Sequence, residues 1–310
     1  MTETTNQHFD YIIIGAGTAG CVLANRLSKD PQKQVLLLEA GKKDNYFWID
    51  IPVGYLYTIG NPRTDWCFET EAEPGLNGRR IGYARGKVLG GCSSINAMIY
   101  MRGQQSDYDH WASLGNRGWG WQDVLPVFRR SEDYQHGADD FHGSGGELRV
   151  EERRVNWEIL DVWRDAAAQC GIPKIDEFNR GDNFGNAYFQ MNQRQGKRWS
   201  AVRAFLDPIR ERTNLTILTE ASVRELIFDK DSAEITATGV KVLHGGHEHV
   251  FQATLRSSLP LAPSPHHSYC SYPVLDLPKR CKTTALRRGW NYLGSAKTCR
   301  IIYRFARSTK

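Results

Sequence analysis

The chain opens on a short apolar run, Asp10-Tyr11-Ile12-Ile13-Ile14, whose β-branched residues suit a buried parallel strand. A glycine-rich turn follows, with Gly15, Gly17 and Gly20. Residues 21–27 then carry apolar side chains at helical spacing, and a second buried run, Gln34-Val35-Leu36-Leu37-Leu38, closes at Glu39. Strand, turn, helix and strand in about 30 residues make a βαβ unit. Residues 41–85 show no long period. Pro52, Gly60-Asn61-Pro62 and Pro74-Gly75 punctuate them and predict extended loops. The apolar stretch 97–101 predicts the start of a helix. Further helices are expected over 106–114, over 122–134 with Val124, Leu125, Val127 and Phe128 on its apolar face, over 156–170, and over 200–212 with Ser200 as cap. Strands are expected over 147–151, Leu215–Leu218, 221–229 and 236–243. His244-Gly245-Gly246-His247 signals a hairpin turn into Val250-Phe251. The predicted fold class is α/β, a Rossmann-like layer made from non-contiguous segments.

The first βαβ unit carries candidate chemistry. Gly15-x-Gly17-x-x-Gly20 follows a strand and opens a helix. Gly15 permits the tight turn, and Gly17 leaves room for a pyrophosphate. Gly20 lets helix and strand pack closely. A diphosphate can then rest on the free N–H groups of the first helical turn, at Thr18, Ala19 and Gly20. Glu39, followed by Ala40, ends the second strand where a carboxylate can accept hydrogen bonds from a ribose diol. The unit predicts a dinucleotide and does not by itself separate FAD from NAD.

A second motif makes that choice. Residues 85–103 read Arg85-Gly86-Lys87-Val88-Leu89-Gly90-Gly91-Cys92-Ser93-Ser94-Ile95-Asn96-Ala97-Met98-Ile99-Tyr100-Met101-Arg102-Gly103. This stretch resembles the first signature of the glucose–methanol–choline (GMC) oxidoreductases, especially their choline-dehydrogenase-like branch. Leu38-Glu39-Ala40-Gly41, Gly118-Trp119-Gly120-Trp121 and Arg198-Trp199-Ser200-Ala201 match the same family in order, over about residues 8–253. The resemblance implies FAD as cofactor. It implies that Arg85, Val88, Gly90, Gly91 and the run Asn96, Ala97, Met98, Ile99 belong to the cofactor site, with Val88 and that run against the flavin. Val223 would hold the adenine through its backbone. Some relatives attach FAD through a His just after the double serine; Ile95 stands there, which implies non-covalent FAD. About 149–191 would be part of an inserted α+β substrate domain.

Relatives of this kind oxidise a small-molecule alcohol by passing hydride to the flavin. A His in their carboxy-terminal half takes the hydroxyl proton. No residue of this chain matches that motif, so no catalytic residue is assigned, and the electron acceptor stays open. Two alternatives stand beside a choline-dehydrogenase-like alcohol oxidoreductase: a truncated flavin-binding remnant without turnover, and a basic-tailed module that binds nucleic acid.

Charge bears on the last alternative. The net charge is +5 over 310 residues. Residues 255–310 hold 11 Lys/Arg against one acid, Asp276, so this tail carries +10 and the rest −5. Neither a Lys/Arg stripe nor an aromatic platform marks the tail, so no nucleic-acid partner is expected. The family has a V-I-L-S-A-G-A-I motif here, whereas residues 257–264 read S-S-L-P-L-A-P-S. One legal codon spelling of these eight residues, read one base earlier, gives V-I-L-A-A-G-A-I. Residues 272–277 and 295–302 likewise spell x-S-G-I-G-P and V-G-K-N-L-Q-D-H, two further family motifs in order. A single frameshift between about Phe251 and Ser257 is therefore the expectation, one that the coding DNA can check. It divides the chain into an FAD-binding part, 1–253, and an aberrant, irregular basic tail, 254–310.

The remaining features change little. No apolar run reaches the roughly 18 residues of a membrane span. The start of the chain is polar, without a secretory signal. Seven scattered cysteines lack zinc or disulfide spacing. A cytoplasmic location is expected, with peripheral membrane association left open. His244, His247 and His249 suit a solvated hairpin tip better than a metal site. Trp119 and Trp121 suit a packed corner, Cys92 a small buried residue, and Asp139, Asp140 and His142 a plain loop.

Overall fold

The structure, a computed structural model, describes residues 7–229 and 237–253; the tail 254–310 and its shifted-frame motifs lie outside the described residues. The chain divides into two units. The first takes the described parts of Met1–Asp44, Tyr57–Ile95 and Ile209–Lys310, and the second takes Asn45–Leu56 and Asn96–Pro208.

The first unit contains β1 (Gln7–Phe9), β2 (Tyr11–Ile14), α1 (Thr18–Leu27), β3 (Val35–Leu38), β4 (Leu215–Leu218), β5 (Ala221–Phe228), β6 (Ala237–His244) and β7 (His247–Ala253). β2, β3 and β4 form a parallel sheet with β3 at its centre, Tyr11 and Leu215 both opposite Val35. The second sheet runs β1-β7-β6-β5, with β1 parallel to β7 and the others an antiparallel meander. Successive strand side chains point to opposite faces. Ile12, Ile14, Leu36 and Leu38 therefore share one face, and they pack with Phe9, Ala221, Val223, Val240, Val242 and Phe251 in one buried cluster. Each large apolar side chain so buried contributes roughly 1.5–3 kcal/mol.

In the second unit, α2 (Gln105–Ser113), α3 (Trp121–Ser131) and α4 (Glu158–Gln169) are the principal helices. Tyr108 of α2 sets its ring 5.8 Å from both Trp121 and Phe128 of α3. The helix expected over 122–134 stops at Ser131, because Glu132–Tyr134 pairs as a strand with Leu148–Val150. On α3, Val124, Leu125 and Phe128 are half-buried and Val127 is exposed.

Three expectations need correction. Residues 97–101 start no helix. Met98 lies in the left-handed region at φ 61°, and Ile99–Tyr100 pairs antiparallel with Gln190–Met191. Left-handed backbone cannot continue a right-handed helix. Residues 200–212 form a π-turn, Val202–Leu206, and a 3-10 turn, Asp207–Ile209, instead of one α-helix. Pro208, which offers no N–H, lies inside the 3-10 turn, and Asp207 before it keeps helical backbone at φ −55°. Ser200 still bonds locally, its Oγ accepting the Arg203 N–H at 3.4 Å. Residues 41–85 are not all loop. They hold short helical turns at Phe47–Asp50, Pro52–Gly54 and Tyr55–Thr58, and the strand pair Phe68–Glu69 with Gly82–Tyr83.

Candidate functional site: a glycine-walled turn at the start of the first helix

The turn between β2 and α1 is built almost wholly from backbone. Gly15, at φ 91°, donates its N–H to Leu38 O at 2.7 Å and so locks the turn to β3. Gly17 caps α1 with extended backbone and no side-chain cap, and the first turn of α1 has no acidic residue. Thr18 and Ala19 are exposed, while Gly15 and Gly17 are half-buried. An α-helix leaves its first N–H groups without intrahelical carbonyls. Here they face an open surface with positive end potential, a setting that favours an anion.

Glu39 closes one side of this turn. Its Oε2 accepts the Ala16 N–H at 2.9 Å and its Oε1 the Gly41 N–H at 2.7 Å. Burial pushes its carboxyl up to about 7, against the opposing pull of those two N–H groups and of Lys87. A carboxylate has about four lone-pair directions, so each oxygen keeps acceptor capacity beyond these bonds. Ala40, beside it, is half-buried.

Gly90 and Gly91 close another side. Gly90 donates its N–H to Ala16 O at 2.8 Å. Gly91 lies at φ 54°, and a Cβ there would sit 2.9 Å from Gly17 Cα. Two glycine-rich segments 70 residues apart thus touch backbone to backbone, leaving a cradle walled by main chain. Such walls admit a diphosphate, and the neighbouring carboxylate suits a ribose. The residues present fit FAD.

The other predicted site residues lie as follows. Val88 is fully buried and bridges to Lys42. Arg85 donates its N–H to Asp65 Oδ1 at 2.9 Å and sets its guanidinium 3.7 Å above the Tyr83 ring. Val223 is buried in β5 opposite Val242, next to a register shift that ends at Glu225. Asn96, Ala97, Met98 and Ile99 belong to the second unit, where Met98 is buried and Asn96 and Ile99 are exposed. Ile95 is buried and has no atom that could bond a flavin.

Two side readings change. Cys92 is exposed, its Sγ accepting the Gly86 N–H at 3.5 Å, because the 3-10 turn at Gly91–Ser94 directs Gly91 and Ser94 inward instead. Trp121 is buried but Trp119 is 54% exposed, so only half of the expected corner packs. His244 and His249 lie on the hairpin with ring centroids 6.0 Å apart, and among the described residues no three potential metal ligands converge.

His142 is not a plain loop residue. It is fully buried between two carboxylates, Nδ1 at 3.1 Å from Glu132 and Nε2 at 2.8 Å from Glu177. Glu132 also accepts from Arg102 at 2.9 Å. Tyr134 stacks on the His142 ring at 4.0 Å. Burial pulls the imidazole pKa down, but the hydrogen bonds and charges of Glu132 and Glu177 outweigh it and hold it at about 9. No local pattern announces this cluster, since its members come from strand, loop and motif positions up to 75 residues apart. A folded value above the ordinary 6.5 stabilises the protein fully below about pH 6.5, and that stability is lost as pH rises through about 9. Thermal unfolding is expected to decline over this window, and His142→Asn should flatten the decline. An equal decline in the variant would refute the assignment. Glu39, also raised, has its own window between 4.5 and about 7.

Fold and turn together define an α/β protein of the Rossmann-like kind. The chain belongs to the GMC oxidoreductase family, whose sequence profile matches residues 9–259. It is 38% identical over 252 residues to the mitochondrial choline dehydrogenase of Homo sapiens, covering 79% of this chain and 42% of that one. It is 40% identical over 226 residues to the alcohol dehydrogenase (acceptor) of Pseudomonas putida, covering 73% and 41%. Among solved structures, pyridoxine 4-oxidase from Mesorbium loti superposes with a TM-score of 0.76 at 36% identity, over 81% of this chain and 49% of that one. The chain spans less than half the length of the curated relatives it matches. Among the described residues no helix is long and apolar enough to cross a membrane.

Proposed function

We propose that this chain binds FAD non-covalently and is the FAD-binding portion of a choline-dehydrogenase-like oxidoreductase acting on the CH–OH group of small alcohols. The contact of Gly91 with Gly17 carries the reading, because it joins the family signature to the nucleotide turn through backbone alone. In this reading the N–H groups of Gly17, Thr18, Ala19 and Gly20 hold the diphosphate, and Glu39 with Ala40 holds the ribose. Arg85, Val88, Gly90 and Gly91 line the cofactor, and the Val223 backbone holds the adenine. Asn96, Ala97, Met98 and Ile99 are assigned to the flavin. When bound, FAD supplies the hydride acceptor; the protein supplies the anion cradle and the buried acceptor at Glu39.

The domain reading stays 1–253 for the FAD-binding part, with about 149–191 in a substrate domain. Four described cysteines, Cys21, Cys67, Cys92 and Cys170, are free thiols, in keeping with a reducing cytoplasm. Purified protein is expected to be yellow and to keep its flavin through gel filtration, and denaturation should release that flavin intact. Colourless folded protein that takes up no added FAD would refute the reading. A second reading, a flavin-binding remnant without turnover, is favoured by the lack of any assigned proton acceptor for the alcohol. Dye reduction with choline and simple alcohols separates the two. The expected result for this polypeptide is bound flavin without dye reduction.

A further inference from the structure

Arg198 has the largest of the fully buried side chains among the described residues. Its Nε donates to Ile49 O at 2.8 Å, and one terminal N–H donates to Asn96 Oδ1, also at 2.8 Å. Asn96 Oδ1 accepts a second bond, from the Met98 N–H at 3.0 Å. Both partners are donors, so the amide orientation is fixed: Oδ1 faces inward and the NH2 group faces away from them. Asn96 itself is exposed. The same oxygen braces Met98 in its left-handed conformation, φ 61°, which a non-glycine residue adopts only under constraint.

A buried cation is weak as a source of stability, since its desolvation offsets what its bonds return. Burial lowers the Arg198 pKa to about 10, against the nearby charge of Asp50, so the group stays charged at neutral pH. What Arg198 gains by its place is geometry, a planar fork that ties Ile49 to Asn96.

We propose that Arg198 is a positioning residue for the flavin: it fixes the Asn96 amide so that its NH2 group is presented as a donor to the cofactor, and through the same amide oxygen holds the turn at Met98. The inference rests on the FAD reading above and adds a residue to which that reading gives no role. Its effect on the cofactor runs through Asn96, which distinguishes it from a residue that merely supports the fold.

The test is a double-mutant cycle on FAD affinity, using the full chain and fluorescence quenching of added FAD. Arg198→Met and Asn96→Ala are each expected to weaken FAD binding about tenfold, and the double variant also about tenfold, because both remove the same donor. A structural role alone would lower the unfolding temperature of the flavin-free protein and leave the two effects on FAD independent. The inference is overturned if Arg198→Met binds FAD like the parent, or if the double variant loses about a hundredfold. Should Arg198→Met not fold, Arg198→Lys, which keeps the charge but not the fork, replaces it in the cycle with the same expectations. Asn96→Ala with unaltered FAD affinity overturns it as well. Parent protein that takes up no flavin sinks the FAD reading and this inference together; a yellow parent with an additive cycle sinks this inference alone.

Discussion

Replacing Gly20 with alanine is expected to yield protein that retains no flavin. The added Cβ would lie 1.9 Å from Gly15 O and 3.0 Å from Gly15 C, both backbone atoms that no rotamer change can move. α1 must then lift away from β2, and its first-turn N–H groups move with it. Overpacking of this kind costs about 1–3 kcal/mol of stability. Displaced amides also lose their aim at the diphosphate, and each 1.4 kcal/mol of lost binding is about a tenfold loss of affinity. Visible flavin absorbance after gel filtration, followed by FAD titration, reads the effect. Gly75→Ala is the matched control, because nothing lies within 4 Å of its Cβ position and its backbone is not left-handed. Equal flavin content in the two variants would mean that the helix start does not hold the cofactor.

Removing the Glu132 carboxylate should produce the largest loss of stability in the second unit. One oxygen, Oε2, accepts from Arg102 at 2.9 Å and from the Gly143 N–H at 2.8 Å, and lies 3.1 Å from His142 Nδ1. The Glu132 side chain is wholly buried and that of Arg102 is 1% exposed. Glu132→Ala would leave two cationic groups facing each other without the anion between them. Breaking a buried pair in this way costs about 3–5 kcal/mol. At roughly 2–4 °C per kcal/mol for a protein of this size, the unfolding temperature should fall on the order of 10 °C. Glu225→Ala, which removes an exposed partner of Lys241, should change stability by about 1 kcal/mol or less. Similar unfolding temperatures for the two variants would show that the Glu132 cluster contributes little.

The glycine turn after the first strand was legible because its geometry is local. Strand, Gly15, Gly17, Gly20 and helix follow one another directly, and Glu39 ends the next strand. Backbone conformations that only glycine adopts freely, and a carboxylate at a strand end, leave a signature in a single stretch of chain. The unbroken apolar runs at 10–14 and 34–38 likewise predicted buried parallel strands, as the pairing of β2 with β3 bears out. Local pattern misled where a distant partner or a single residue prevailed. The run 97–101 is apolar enough for a helix, yet Met98 turns left-handed and Gln190–Met191 supplies a strand. Residues 200–212 have helical spacing, but they wind into a π-turn followed by a 3-10 turn instead of one α-helix.

By itself, the order of residues determined the α/β class, the parallel pair of β2 and β3, the glycine turn and the carboxylate that closes it. Each rests on neighbours along the chain and on backbone preferences that need no partner. Only the tertiary structure decided that Gly91 meets Gly17, that Arg198 ties Asn96 to Ile49, and that His142 lies between Glu132 and Glu177. Those contacts join residues 10 to 149 positions apart. Burial of a charge is set by what folds over it, and that is a property of packing, which no single stretch of sequence carries.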